Sequence, residues 1–215
     1  MARESTEIRT GFFIIILAVS VLGCRSTPSP PSQTVTVSSS WSALTVPPDV
    51  QRIAVFYPHS SVREYVEAYH RLEGAAFQLK ASRSKLTLVD RFNLQTVTKE
   101  LWFQNGGAVS EETATRIGHL LGVDSVLLFA IDGPTLTDRV MARRFYQVRP
   151  VTITTKIIRV ESAEVVYLDV VIAKMHDYGY GDRWFFDNMD YELLSREALD
   201  RSIKQTVVDL ERAFQ

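Results

Sequence analysis

Past residue 48 the hydrophobic positions fall into short runs and helical stripes. Arg52-Ile53-Ala54-Val55-Phe56-Tyr57 is a compact apolar run stopped by Pro58, which predicts a strand. Ser61 is placed to cap a helix whose apolar positions, Val62, Tyr65, Val66, Tyr69, Leu72, Ala76 and Leu79, keep helical spacing. Leu86-Thr87-Leu88-Val89 predicts a second strand. Asp90 then precedes a short helix over Arg91–Leu101, where its carboxylate can accept the orphan amides of the first turn. Gly106-Gly107 interrupts the chain. The next helix opens at Ser110 with Glu111 and Glu112, negative charge where the helix dipole favours it, and shows Ala114, Ile117, Leu120 and Leu121 on one face. Gly122 stands where a left-handed C-terminal cap is expected.

The run Val126-Leu127-Leu128-Phe129-Ala130-Ile131 has no polar alternation, the pattern of a strand covered on both faces. Val151–Val160 and Val165–Ile172, joined by Glu161-Ser162-Ala163-Glu164, read as a hairpin. A long final helix carries the stripe Leu199, Ile203, Val207, Leu210 and Phe214. Strands alternating with helices, then a hairpin and a helix, predict a mixed α/β fold with helices packed on a central sheet.

The start of the chain has a different pattern. Arg3 and Arg9 flank a polar opening, followed by the apolar run Gly11–Leu22 and then Gly23-Cys24. A run of about a dozen residues suits the core of a signal peptide and is short for crossing ~30 Å of hydrocarbon. Val21-Leu22-Gly23-Cys24 resembles a lipobox, with small Gly23 before the cysteine that is lipidated. Cys24 is the chain's one cysteine, so no internal disulfide forms and lipidation supplies its role. Arg25, rather than Asp, follows it, which by the usual sorting rule favours the outer membrane with the domain facing the periplasm. Residues 26–48 are rich in Pro and Ser and read as a tether. The expected organisation is a signal peptide over 1–23, lipidated Cys24 and tether over 24–48, and one domain over 49–215.

Composition changes this picture little. The 215 residues carry 24 Lys+Arg against 25 Asp+Glu, so net charge gives no reason to expect nucleic acid as a partner. His59, His70, His119 and His176 are scattered without metal-ligand spacing. No nucleophile elbow, phosphate-cradling glycine loop or metalloprotease helix is present. The expectation is a protein that is not an enzyme and takes no cofactor or metal. Two stretches are candidate interaction surfaces. Arg139, Arg143, Arg144 and Arg149 can grip carboxylates or phosphates, unless they are simply a solvated loop. Residues 176–191 pack Tyr178, Tyr180, Trp184, Phe185 and Phe186 among Gly and Asp. That density suits a partner-binding loop or a membrane interface, and equally a segment folded back on its own core.

Several motifs, in order, carry a family resemblance. They are Arg52-Ile53-Ala54-Val55, then Leu88-Val89-Asp90-Arg91-Phe92-Asn93-Leu94, then Ile117-Gly118-His119-Leu120-Leu121-Gly122-Val123-Asp124, and the hairpin from Ile153 to Val166. Over roughly residues 50–172 the chain resembles the curli-secretion (CsgG-like) lipoprotein family and the related lipoproteins that activate penicillin-binding proteins. The resemblance implies a periplasmic α/β domain in which Asp90, Arg91, Gly118, Gly122 and Asp124 hold the fold. It also implies a protein partner in the envelope or a homo-oligomer. The curli secretion protein lends two long hairpins per subunit to an outer-membrane barrel, each strand needing ~9–11 residues of alternating pattern. Asp132–Pro150 and Lys174–Asp190 lack that alternation. The leading expectation is therefore an assembly or docking factor, with a secretion-channel subunit and a lipoprotein activator of a peptidoglycan synthase as alternatives.

Overall fold

In the computed structural model six strands among the described residues form one mixed sheet in the order β1-β6-β5-β4-β2-β3. The structure describes residues 35–41, 45–89, 111–134, 138, 149–175 and 191–215, all within one compact unit, Gln33–Gln215. The strands are β1 Val35–Trp41, β2 Arg52–Phe56, β3 Thr87–Val89, β4 Ser125–Asp132, β5 Val151–Arg159 and β6 Val165–Met175. Among the described residues three helices pack on them: α1 Arg63–Ser82, α2 Glu111–Leu121 and α3 Tyr191–Ala213. The mixed α/β class with a long C-terminal helix is the one the sequence pattern predicts.

Strand β2 shows how the layers arise. Its side chains alternate, and all four from Ile53 to Phe56 are buried. Ile53 and Val55 join the core beneath α1 and α3, with Tyr69, Leu72, Leu127, Phe129, Ile153 and Ile203. Ala54 and Phe56 join a second core beneath α2, with Ala114, Ile117, Val126 and Ile158. β2 pairs in parallel with both β3 and β4. Because parallel crossovers are right-handed, stepping to β3 by way of α1 and back past β2 to β4 by way of α2 puts those helices on opposite faces. β4 is buried from Ser125 to Phe129 and opens at Ala130. Its double coverage thus ends sooner than its apolar run. The face of β5, β6 and β1 turned away from α3 carries Thr152, Thr154, Ile172, Thr36, Ser38 and Ser40.

The hairpin has a reason for its imperfect alternation. β5 and β6 are antiparallel, with a register shift between Ile157 and Ile158 that places Tyr167 opposite the first and Val165 opposite the second. The extra residue is Val166 on β6, and the bulge lets neighbouring Val166 and Tyr167 both reach the core beneath α1 and α3, while Ile157 and Ile158 face opposite cores as ordinary alternation requires. The turn closes with Ala163 at φ 55° and the Arg159 N–H donating to the Glu164 carbonyl at 2.8 Å.

Two expectations need correction. The stretch read as tether to residue 48 enters the fold. β1 pairs antiparallel with β6 from Val35 opposite Met175 to Trp41 opposite Asp169. Val46 and Val50 are buried. Arg83 donates to the carbonyls of Val46 and Pro47, both at 3.0 Å, and stands over the Phe214 ring. A Ser-rich strand is a poor strand by propensity. It holds here because the ladder to β6 satisfies its backbone and because the Val46 N–H reaches the Ala213 carbonyl at 2.8 Å. Asp49 is therefore not the start of the domain. The second correction is small: α1 begins at Arg63 with Val62 as N-cap, and Ser60 rather than Ser61 accepts a local bond, from the Val62 N–H at 3.1 Å.

Candidate functional site

The motif Ile117–Asp124 is a helix-to-strand joint, and each position has a physical task. Ile117 is wholly buried in the core beneath α2. Gly118 faces β4 and β5 so closely that a Cβ there would lie 2.3 Å from Val160 Cγ2 and 3.0 Å from Val126 Cγ2. Gly122 takes φ +61°, the left-handed turn that ends α2 and that glycine adopts without strain. Asp124 then joins three strands. Its Oδ2 accepts the Gln51 and Arg52 amides at 2.9 and 2.7 Å, its own N–H donates to the Arg52 carbonyl, and its carbonyl accepts the Val160 N–H. Asp90 and Arg91, the other two residues of the resemblance, lie outside the described residues.

The two candidate interaction stretches leave the sheet at the same end. Asp132, the last residue of β4, pairs with Thr152, and Val151, the first of β5, pairs with Ala173 near the end of β6. The roots of 133–150 and of 176–190 are thus on neighbouring strands. Arg143, Arg144, Tyr178, Tyr180, Trp184, Phe185 and Phe186 lie outside the described residues, as does Cys24. Arg149 is described, and its guanidinium is not free for a partner. It grips both oxygens of Asp132 at 2.8 Å and reaches Asp138 at 3.5 Å. This fork closes the base of the 133–150 segment, so the arginine at the segment's end serves the fold.

Tyrosines brace that end of the sheet, Tyr65 and Tyr69 from the helical stripe and Tyr57 from the end of the first strand run. Tyr57, just past β2, stacks on Tyr69 of α1 with centroids 4.8 Å apart and planes at 6°. The Tyr57 hydroxyl donates to Glu73 at 3.0 Å. The Tyr69 hydroxyl accepts the Ile131 N–H of β4 at 2.8 Å. Burial pushes the Tyr69 hydroxyl up to about 12, so it stays neutral in this role. Tyr65 donates to the Pro134 carbonyl at 3.3 Å and lies against Gly133, where a Cβ would meet its hydroxyl at 2.4 Å. The signal available in the sequence was three tyrosines near one helix's start and the end of β2. It was masked because tyrosine also fits an ordinary apolar stripe.

What this arrangement offers chemically is a rigid frame. The tyrosines and Arg149 hold the ends of β4 and β5, which carry the 133–150 segment. Among the described residues no group of three or more His, Cys, Asp or Glu is placed to hold a metal ion. The cleft of about 530 Å³ between α1 and α3 is lined by charges of both signs, Arg63, Glu67, Arg71, Arg196 and Asp200 among them. Arg63 pairs with Glu67 and Arg71 with Asp200 across it, both in solvent-exposed positions where ion pairs contribute little. No helix among the described residues is long and apolar enough to cross a membrane.

No protein-family profile and no curated protein sequence matches the chain. Some solved structures match it at low identity and low TM-score. A PelC dodecamer from Paraburkholderia phytofirmans is 15% identical, covering 77% of this chain and 98% of that one with a TM-score of 0.35. The LpoB C-terminal domain from Escherichia coli is 17% identical, covering 59% and 84% with a TM-score of 0.37. The lipoprotein GNA1162 from Neisseria meningitidis is 11% identical, covering 62% and 86% with a TM-score of 0.33. Likenesses at this level assign neither activity nor partner, and the curli-secretion resemblance rests on the sequence motifs alone.

Proposed function

We propose that this protein is a non-enzymatic lipoprotein of the bacterial envelope, held on the outer membrane by lipid on Cys24, whose periplasmic domain docks a partner protein. The observation that carries the docking reading is the sheet register. Val151 opposite Ala173, beside Asp132 opposite Thr152, sets the roots of the arginine-rich and the aromatic-rich segments side by side. Arginine and large aromatics are the residue types that dominate interface energetics, and a rigid base lowers the ordering cost of presenting them. The anchor follows from the apolar run ending at Gly23-Cys24. More than one acyl chain gives stable attachment at ~0.8 kcal/mol per buried methylene.

The test is site-specific photo-crosslinking in cells, with the probe at Tyr180, at Arg143, or at exposed Lys80 near the other end of α1. The expected result is one discrete adduct of the same mass from Tyr180 and Arg143 and none from Lys80. That adduct should be lost when Trp184 and Phe185 are both replaced by Ala. Equal adducts from all three positions, or none from the first two, would remove the docking reading. Adducts at multiples of this chain's own mass would identify the partner as a second copy.

A further inference from the structure

The interface between α3 and the sheet is not apolar throughout. Thr155 on β5 and Asp169 on β6 are opposite each other across the ladder, and both are fully buried. α3 turns Ser202, Thr206 and Asp209 toward the interior, with Ser202 and Thr206 fully buried. The helix runs antiparallel to β6. Ser195 near its start lies 3.9 Å from the Met175 sulfur, while Asp209 near its end acts electrostatically on Asp169 and Tyr167.

The two carboxylates in this interface are treated differently. Asp209 is provided for: Gln205 Nε2 donates to its two oxygens at 3.0 and 2.9 Å, and Arg212 reaches it at 3.4 Å. Asp169 is not. Neither of its oxygens has a hydrogen-bond partner of good geometry, and the hydroxyls of Thr155, Ser202 and Thr206 are equally unpartnered. An ionised carboxylate only accepts, so three hydroxyls can each serve it only by giving up their own donor. A protonated one is donor and acceptor at once, like the buried hydroxyls of the same interface, and carries no charge into it. Burying the ionised form without such partners is costly.

We propose that Asp169 is a proton-operated latch beneath α3: protonated, it seats the C-terminal half of the helix on β6, and ionised, it loosens it. The electrostatics agree with the geometry. Burial first and the Asp209 charge second push Asp169 up to about 6, with only the Val170 N–H pulling the other way. Among the described residues the other charged or titratable groups facing it are these. From α3 there are Asp209 and its companion Arg212. From β6 there is Tyr167, raised by burial and neutral throughout. Thr155 from β5 is uncharged. Arg83 and Asp49, near the far end of α3, are engaged with Val46, Pro47 and Phe214 and with Arg159. The sign follows. A folded value above the ordinary 3.8 means that the stabilisation is complete below that value and is lost as pH rises through about 6. The latch requires nothing of the docking reading.

The test is amide hydrogen exchange over residues 206–213 in the full chain, extracted in mild detergent, at pH 5 and pH 7.5 and corrected for the intrinsic pH dependence of exchange. If local opening restores an ordinary carboxyl, the opening equilibrium rises about tenfold between those two values. Asp169→Asn, an isostere that both donates and accepts, should hold the helix equally at both pH values. Thr206→Val, which keeps the shape and removes one hydroxyl, should raise exchange at pH 5 toward the wild-type level at pH 7.5. Equal protection of the wild type at both pH values overturns the latch. So does a tenfold response that persists in Asp169→Asn.

Discussion

A chain beginning at Asp49 is expected to aggregate or to melt at least about 10 °C below one beginning at Gln33, both prepared without detergent and followed by circular dichroism and light scattering. The difference is β1 and the segment after it. Val35 and Val46 are 3% and 1% exposed, and full burial of such side chains is worth ~1.5–3 kcal/mol each. Losing both removes about 3–6 kcal/mol, a large part of an ordinary total of ~5–15 kcal/mol. For a domain of this size ~1 kcal/mol moves Tm by about 2–4 °C. The ladder to β6 goes as well, along with the bond from Arg201 to the Val35 carbonyl at 2.7 Å. β6 then becomes a bare edge carrying Val170 and Ile172, the kind of edge that pairs with other chains. Equal melting temperatures would show that β1 is no part of the domain.

The second large effect is expected at Gly118. Leucine there must occupy space already held by Val160 and Val126, and overpacking a tight joint costs ~1–3 kcal/mol or more. Two other glycines make the comparison internal. Gly122→Ala meets no atom within 4 Å, yet is strained by φ +61°, at about 1–2 kcal/mol. Gly74→Ala, inside α1 with nothing within 4 Å, should stabilise by ~0.5–1 kcal/mol. The expected order of denaturation midpoints is Gly74→Ala above wild type, then Gly122→Ala, then Gly118→Leu. If Gly118→Leu and Gly122→Ala lose the same amount, the close approach at Gly118 is not what limits that position.

These positions also show what a sequence can and cannot disclose. The joint from α2 into β4 was legible where its demands are local, in Ile117 on the apolar face and a left-handed Gly122, and not in the bonds from the Gln51 and Arg52 amides to Asp124, which come from a distant part of the chain. The hairpin was legible for the same reason, and only its bulge between Ile157 and Ile158 blurred the alternation. β1 was not legible. Val35-Thr36-Val37-Ser38-Ser39-Ser40 is polar and follows a Pro-rich stretch, and its stability comes from β6, more than a hundred residues further on. The buried polar group beneath α3 was missed for a related reason. Leu199, Ile203 and Leu210 define an apolar stripe, and Ser202 and Thr206 beside them look like its margin until β6 brings Asp169 underneath. The tyrosine frame shares this property, since Tyr57 and Tyr69 acquire a role only when β2, α1 and β4 meet. The arginine stretch was read as one surface, and the fork from Arg149 to Asp132 divides it.

The proposed envelope role turns on whether Cys24 is the lipidated first residue of the mature protein. Mass spectrometry of the N-terminal peptide, from protein extracted from the membranes of the cells that make it, decides it. The expected result is a mature chain that begins at Cys24 and carries acyl chains on it, with a Cys24→Ser form released from the membrane. A mature chain that retains Met1, or one cut elsewhere with Cys24 unmodified, would contradict the anchor and with it the envelope docking role.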